Sequence, residues 1–343
     1  MKIKTEIKDI TIETIISELQ KIPSDTLLII ADHQVWSLYS KDIILESIEN
    51  KKILFWKAPD GEKVKNITEF QSAIEFFLEK GIHRNAHLVV IGGGATSDFG
   101  GYVAASILRG IEWSIIPTTL LSMVDASIGG KVAINSKSGK NLIGAFHLPT
   151  NIWICSRFID TLPVVEKNSG LGEVLKYCFL DYSIYDLVIK RSDMSLIIKA
   201  CAKFKEKLTE EDLKEHGIRK ILNLGHSFGH ALEFIYNIPH GEAVMWGTAL
   251  IFKVFGTEKN LNDITALKKA LDMPGDQSPW FNKEFPIDKI MMYLSKDKKI
   301  SARSTIDLIV IKDIGNAEIE NKTFDEIQSI LESKKDELKK FTI

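Results

Sequence analysis

The chain has 343 residues, more than one hydrophobic core usually supports, so two domains are expected. Hydrophobic residues at 45% and charged residues at 26% match an ordinary globular protein. A formal net charge of -2 argues against a nucleic-acid-binding or polybasic membrane surface, so any positive site must be local.

The opening stretch MKIKTEIKDITIETI alternates charged and apolar residues without the unbroken apolar core of a signal peptide, and no apolar run reaches bilayer length. Cys155, Cys178 and Cys201 are odd in number, have no CxxC spacing and sit among apolar neighbours. That is the pattern of buried thiols in a reducing cytoplasm. From Thr26 onward, short apolar strands alternate with helical patterns. TLLIIA (26–31) ends at Asp32, KILFWK (52–57) precedes a helical pattern over 67–79, and HLVVI (87–91) follows. Such alternation predicts an α/β fold with a parallel sheet covered on both faces. Ligands of these sheets sit beyond the carboxyl ends of the strands. Asp32, Glu62 and Lys65 of the loop PDGEKVK, and Gly92 to Gly94, are therefore placed to meet one ligand.

The glycine run follows a strand and precedes a helical pattern over 98–108, an arrangement that suits a pyrophosphate. Gly92 and Gly94 fit G-x-G, but Ser97 stands where the third glycine of a dinucleotide fingerprint belongs. A ligand-free tight turn explains the run about as well. Residues 117–146 read as a loop-rich stretch punctuated by Gly129, Gly130 and Gly139, holding Asp125, Lys131, Lys140 and Asn141. Each lysine alone reads best as a solvated side chain. Two lysines framing a glycine-rich turn, with Arg109 upstream, make an anion site a competing reading.

After NIWIC (151–155) the character becomes mostly helical, and the domain boundary is placed near residue 163. GLGEVLKY (170–177) puts Glu173 and Lys176 on one helical face, either as an i, i+3 ion pair or with Glu173 as a metal ligand. The stretch leading into GHSFGHALEFIYNIPHGE places Arg219, Asn223, His226 and His230 at i, i+4, i+7 and i+11 of one predicted helix. The remaining faces, including Ile218, Phe228 and Phe234, are apolar, so the helix is expected to be buried and its polar stripe to need partners. His240 follows in a predicted turn at Pro239 and Gly241. Two imidazoles and one carboxylate from elsewhere make a His2Glu metal site with an open position. Near the end, a hairpin around Gly315 and a capped amphipathic helix from Thr323 carry no proposed chemistry. These residues alone describe a metal-assisted alcohol oxidation of an anionic polyol, with cations such as Lys131, Lys140, Lys176, Lys205 and Arg219 holding the anion.

Five stretches, GGGATSDFGGYVAASILRG, IPTTLLSMVDASIGGKVAINSKSGKNLIGAF, TLPVVEKNSGLGEVLKY, GIRKILNLGHSFGHALE and HGEAV, resemble the 3-dehydroquinate synthases in order and register. The resemblance covers about residues 32–299. It implies a Rossmann-like α/β N-terminal domain over 1–163 that binds NAD, and a mostly α-helical C-terminal domain over 164–343 that binds metal and substrate. It also implies a homodimer and a catalytic Zn2+ or Co2+. Transferred residue by residue, it makes Glu173, His226 and His240 the metal ligands, and His230 a substrate or proton-transfer residue. Asp125, Lys131, Asn141, Lys176, Lys205, Arg219 and Asn223 fall on substrate-pocket positions, with Lys140 in the same site. Arg109 matches an arginine that reaches the substrate phosphate from the second subunit, and Lys298 a lysine supplied by the C-terminal region. NAD contacts fall on Asp32, Glu62, Lys65, Gly93, Gly94, Asp98, Thr118 and Thr119.

The implied reaction converts 3-deoxy-D-arabino-heptulosonate 7-phosphate to 3-dehydroquinate and phosphate. Transient oxidation, phosphate elimination, re-reduction and intramolecular aldol closure follow in turn, within the shikimate pathway of aromatic amino acid biosynthesis. Competing readings are another sugar phosphate cyclase, such as a 2-deoxy-scyllo-inosose synthase, or an NAD-dependent polyol dehydrogenase. Departures from the pattern are modest. His226 and His240 stand 14 residues apart, a few fewer than in many members, Gly172 replaces a usual alanine and Gln34 a common asparagine. No nucleic-acid or membrane partner is expected.

Overall fold

Six segments of the first half pair into one all-parallel sheet, all but the charged β1 being largely apolar: β1 (Glu6–Asp9), β2 (Thr26–Asp32), β3 (Lys52–Ala58), β4 (His87–Gly92), β5 (Glu112–Pro117) and β8 (Asn151–Ile154). The computed structural model describes residues 5–295 and 304–343. Its contacts divide the chain into two units, Met1–Pro163 and Val164–Ile343. The strand order is β1-β8-β5-β4-β2-β3. β4 is buried along its whole length and β2 at all but its first residue, because both faces of a parallel sheet are covered. From β2 the sheet grows one way through β3 and the other way through β4 and β5. The switch point therefore falls at the carboxyl ends of β2 and β4, where Asp32 and the glycine run stand.

Helix α1 (Ile15–Lys21) precedes β2 in the chain, and α2 (His33–Tyr39) follows it directly. The Asp32 carboxylate caps α2, accepting from the backbone N–H of Gln34 at 2.9 Å and of Val35 at 3.3 Å. Helix α3 (Ile67–Glu79) lies where its periodicity predicts. Helix α4 (Gly94–Ser106) begins four residues before the predicted start at Asp98, directly out of the glycine run. A Cβ on Gly100 would stand 2.4 Å from Val90 Cγ2, so α4 lies on β4 at a distance that only glycine permits. The close packing normally served by a third fingerprint glycine is thus supplied by Gly100, one turn beyond Ser97.

Residues 117–146 are more regular than expected. A π-helical turn (Ser122–Ala126) leads into an antiparallel hairpin of β6 (Lys131–Ser136) and β7 (Gly139–Phe146). Each strand carries too few alternating apolar residues to stand out from the glycines around it, and cross-strand pairing makes up the difference.

In the second unit, α5 (Val164–Leu180), α6 (Tyr182–Ile189), α7 (Met194–Glu211), α8 (His226–Tyr236), α9 (His240–Phe255), α10 (Glu258–Ala270) and α11 (Ile287–Leu294) precede a hairpin of β9 (Thr305–Asp313) and β10 (Asn316–Thr323). Helix α12 (Phe324–Ser333) follows, with the expected capping box between Thr323 and Glu326. Every residue from Ser169 to Leu180 of α5 and from Ala243 to Phe252 of α9 is buried, which makes these helices the core of the unit. Among the described residues no helix is long and apolar enough to cross a membrane. Cys155, Cys178 and Cys201 are buried free thiols.

The single helix expected over 218–235 is two pieces. A 3-10 turn (Ile218–Asn223) ends before Gly225, whose φ of 80° breaks the helix, and α8 starts at His226. A side chain at Gly225 would also meet Thr248 Oγ1 at 2.3 Å and the Val244 carbonyl at 2.6 Å. The break turns Ile218 and Phe234, expected inside, out to 46% and 66% exposure. His240, expected in a turn, is the first residue of α9, with Pro239 as its N-cap.

Candidate active site

Three elements bring three potential ligands together. Glu173 projects from the buried middle of α5, His226 opens α8 and His240 opens α9. One ligand atom from each lies within 4.8 Å of the other two. Both Nε2 atoms face the same carboxylate oxygen, His226 at 3.5 Å and His240 at 3.3 Å from Glu173 Oε1. Close approach of α5 and α9 is enforced at Gly172, where an added Cβ would fall 2.0 Å from the Gly241 carbonyl oxygen.

The far nitrogens of both rings are committed elsewhere. His226 Nδ1 lies 3.2 Å from the Leu224 carbonyl oxygen, which can only accept, so Nδ1 carries the proton. His240 Nδ1 donates to Glu233 Oε2 at 3.0 Å. Burial pushes the His226 imidazole down to about 3, outweighing the attraction of Glu173. It is therefore neutral, and its Nε2 lone pair points at a carboxylate. Two acceptors facing each other out of water are unfavourable unless a cation lies between them. Burial also acts to lower His240, but hydrogen bonds from its ring to the Glu173 and Glu233 carboxylates outweigh it and hold the ring up to about 10. A divalent cation would take the place of that proton. The residues thus fit a metal: two Nε2 atoms and one carboxylate converge, and each imidazole is oriented by an acceptor behind it.

Other residues singled out from sequence lie in the same unit, and of these Lys176 and His230 stand against this cluster. Lys176 forms an ion pair with Glu173 and is 1% exposed. The ion-pair reading of GLGEVLKY is thus observed, and the same carboxylate faces both imidazoles. The exposed His230 ring stands 5.3 Å from that of His226 and 5.8 Å from that of His240. Lys205 on α7 and Arg219 in the 3-10 turn are buried cations. Arg219 Nη1 donates to the Leu213 carbonyl at 2.7 Å, and Asn223 Nδ2 donates to Glu215 Oε1 at 2.6 Å. The Asp212 carboxylate accepts from the N–H groups of His216, Gly217 and Arg219 and shapes this turn.

A second group gathers at the strand ends of the first unit. Lys65 Nζ donates to Asp98 Oδ2 at 2.6 Å and to Asn141 Oδ1. Asp32 Oδ2 accepts from Gly61 N at 3.2 Å and Thr96 Oγ1 at 3.4 Å, tying the 61–65 turn to the start of α4. Thr118 N donates to the Gly92 carbonyl, and Thr119 leaves no room for a side chain on Gly93, its Cγ2 lying 2.8 Å from where a Cβ would stand. Gly94 opens α4. Asp98, Lys131 and Asn141 line one cavity of about 360 Å³. Asp125 is in the π-helical turn, and Lys140 lies exposed on β7. Arg109 is exposed, and its φ of 68° and that of Leu108, 51°, mark a strained turn after α4. Lys298 lies outside the described residues.

Glu233, Glu215, Asp212 and Asn135 escaped the sequence reading. Glu233 alone left a trace: it stands one helical turn beyond His230.

Comparison with known proteins adds an independent line. The family model "3-dehydroquinate synthase N-terminal" matches residues 55–169 and "3-dehydroquinate synthase C-terminal" matches residues 170–300. A 3-dehydroquinate synthase of Staphylococcus aureus (strain MRSA252) is 36% identical over 278 residues, 77% of each chain. One of Pseudoalteromonas atlantica (strain T6c / ATCC BAA-1087) is 36% identical over 316 residues, 86% of this chain and 87% of that one. The fold is also that of a 2-epi-5-epi-valiolone synthase from Streptomyces hygroscopicus subsp. jinggangensis 5008, solved with NAD+ and Zn2+ bound, at a TM-score of 0.82, 22% identity and 97% coverage of both chains. Matched through both halves, and with a ligand-forming triad in its helical unit, the chain belongs to the 3-dehydroquinate synthase family.

Proposed function

We propose that the protein converts 3-deoxy-D-arabino-heptulosonate 7-phosphate to 3-dehydroquinate and phosphate, as a cytoplasmic homodimer using NAD and Zn2+ or Co2+. The observation that carries this, beyond family membership, is the pair of oriented Nε2 atoms aimed at one buried carboxylate oxygen. Glu173, His226 and His240 hold the metal, which when bound polarises hydroxyl and carbonyl oxygens. Asp32, Glu62, Lys65, Gly93, Gly94, Asp98, Thr118 and Thr119 would hold NAD, which would supply reversible hydride transfer at a secondary alcohol.

The chain's own groups do the rest. Lys176, Lys205 and Arg219 are each under a tenth exposed, and buried positive charge favours an anionic ligand over a neutral sugar. Arg219 and Lys205 bind the substrate carboxylate, with Asn223 held beside them by Glu215. Asp125, Lys131, Lys140 and Asn141 bind hydroxyl and phosphate oxygens. Arg109 reaches the phosphate bound to the second subunit, and Lys298 contributes from the C-terminal region. His230 moves a proton at the substrate, a role supported by its exposure beside the His226 and His240 imidazoles.

The test is to incubate the metal-loaded protein with the heptulosonate phosphate and NAD while following phosphate, carbocycle and nicotinamide absorbance. Phosphate and 3-dehydroquinate should appear in equal amounts with no net NADH. Phosphate without carbocycle rejects the proposal, and accumulating NADH identifies a polyol dehydrogenase instead.

A further inference from the structure

Asn135 sits where the β6–β7 hairpin loses its register. Ile134 pairs with Ile143 and Ser136 with Gly139, so the ladder shifts at Asn135 and leaves 140–142 to be accommodated opposite it. Such bulges commonly re-aim a side chain. Here the backbone N–H of Asn141 donates to the side-chain Oδ1 of Asn135 at 3.0 Å. Asn141 itself has a φ of 59°, a left-handed conformation that this hydrogen bond helps hold. Its carboxamide oxygen thereby reaches Lys65 Nζ.

The other faces of Asn135 point to the 61–65 turn. Its Nδ2 donates to Glu62 Oε1 at 2.7 Å, and its backbone N–H donates to the Lys65 carbonyl at 2.9 Å. One residue therefore touches Glu62 and Lys65, assigned above to the nucleotide, and Asn141, assigned above to the substrate. We propose that Asn135 is a positioning residue that couples the two: it holds the nucleotide-facing turn and the substrate-facing asparagine in one register, so that each ligand finds its partners already oriented. The coupling rests on the assignment of Glu62 and Lys65 to NAD and of Asn141 to the substrate. A side chain that only closed the hairpin would need a contact to Asn141, and the hydrogen bond to Glu62 would have no consequence for binding.

The test uses the full-length, metal-loaded protein, with NAD affinity measured by nicotinamide-dependent fluorescence quenching and anion affinity by titration of inorganic phosphate in saturating NAD. Asn135→Ala removes both contacts and should weaken NAD and phosphate together, each by about threefold to tenfold. Asn135→Asp keeps an acceptor for Asn141 but sets a carboxylate against Glu62. It should weaken NAD by about tenfold while leaving phosphate affinity within about twofold. Adding Glu62→Gln to Asn135→Asp restores a donor for that carboxylate; because Glu62 itself faces the nucleotide, the double variant is compared with Glu62→Gln alone and should match its NAD affinity within about twofold. Destabilisation without positioning would not be rescued in this way. Unchanged NAD affinity in Asn135→Asp, or a double variant that binds NAD as much more weakly than Glu62→Gln alone as Asn135→Asp does than wild type, overturns the proposal. Should wild-type protein bind no NAD, the assignment under Proposed function fails first. Should wild type bind NAD and turn over normally while the variants match it, only the role of Asn135 falls.

Discussion

Glu233 holds Nδ1 of His240 with a full negative charge at 3.0 Å, which fixes the ring so that Nε2 meets Glu173. A carboxylate in that position also makes the imidazole a stronger ligand. Glu233→Gln keeps an acceptor of the same length but removes the charge. Zinc affinity, measured by chelator competition, should fall about tenfold or more, with the fold intact by circular dichroism. Unchanged affinity would show that Glu233 is incidental. Glu173→Ala removes a proposed ligand and should abolish stoichiometric metal binding in the same titration. At this scale the ligand types were legible, because His, His and Glu announce their chemistry wherever they stand. The acceptors behind them were not: Glu233 becomes a partner of His240 only when α8 and α9 fold against each other, and the Leu224 carbonyl meets His226 only because the chain breaks at Gly225.

At the scale of elements, β4, β5 and the start of β8 are joined by a buried polar knot. His87 Nε2 lies 2.8 Å from Ser114 Oγ, which accepts from Asn151 Nδ2 at 2.9 Å and lies 3.1 Å from Thr150 Oγ1. Glu112 Oε2, 3.8 Å from His87 Nδ1, is too distant for a hydrogen bond. Burial first, then the nearby Lys51 charge, pushes His87 down to about 4 from an ordinary 6.5. The folded state therefore keeps the ring neutral while the unfolded chain protonates it between those values. The associated stability is fully present above pH 6.5 and is lost as pH falls toward 4. Between pH 7.5 and 5 this one group should cost roughly 2 kcal/mol, read as a lower urea midpoint. His87→Gln should flatten that part of the pH dependence, and an unchanged slope would refute the account. β2, β3, β4 and β8 were visible in their apolar runs and their parallel pairing followed from the intervening helices, whereas β1 and β5 were not read as strands. The β6–β7 hairpin and the break at Gly225 were not. The first depends on cross-strand partners, and the second on Val244 and Thr248, some twenty residues away, filling the space a side chain would need.

For the molecule as a whole, the residues proposed to hold the nucleotide and the metal fall in different units, Met1–Pro163 and Val164–Ile343 respectively. Each ligand should therefore stabilise chiefly the unit that holds it, by about 2.7 kcal/mol at a hundredfold excess over its dissociation constant. Hydrogen exchange should show zinc protecting α5, the start of α8 and the start of α9, and NAD protecting the ends of β2 and β4 and the start of α4. Protection by zinc confined to the first unit would contradict the assignment of ligands. Removal of zinc by EDTA should reverse its protection and leave that of NAD.

Periodicity and residue type, read along the chain, were enough for the alternation of strands and helices, the helical second half, the glycine run beyond a strand and the His and Glu triad as metal-binding candidates. These are local properties: the 2.0 and 3.6 residue repeats and the chemistry of a side chain do not depend on distant neighbours. Only the tertiary structure decided which imidazole nitrogen faces Glu173, that Arg219 and Asn223 leave the helix of His226, that Gly100 does the work expected of a glycine at 97, and that Asn135 bridges Glu62 and Asn141. Each of these is an encounter between segments far apart in the chain, set by burial and hydrogen-bond partners that no local pattern records.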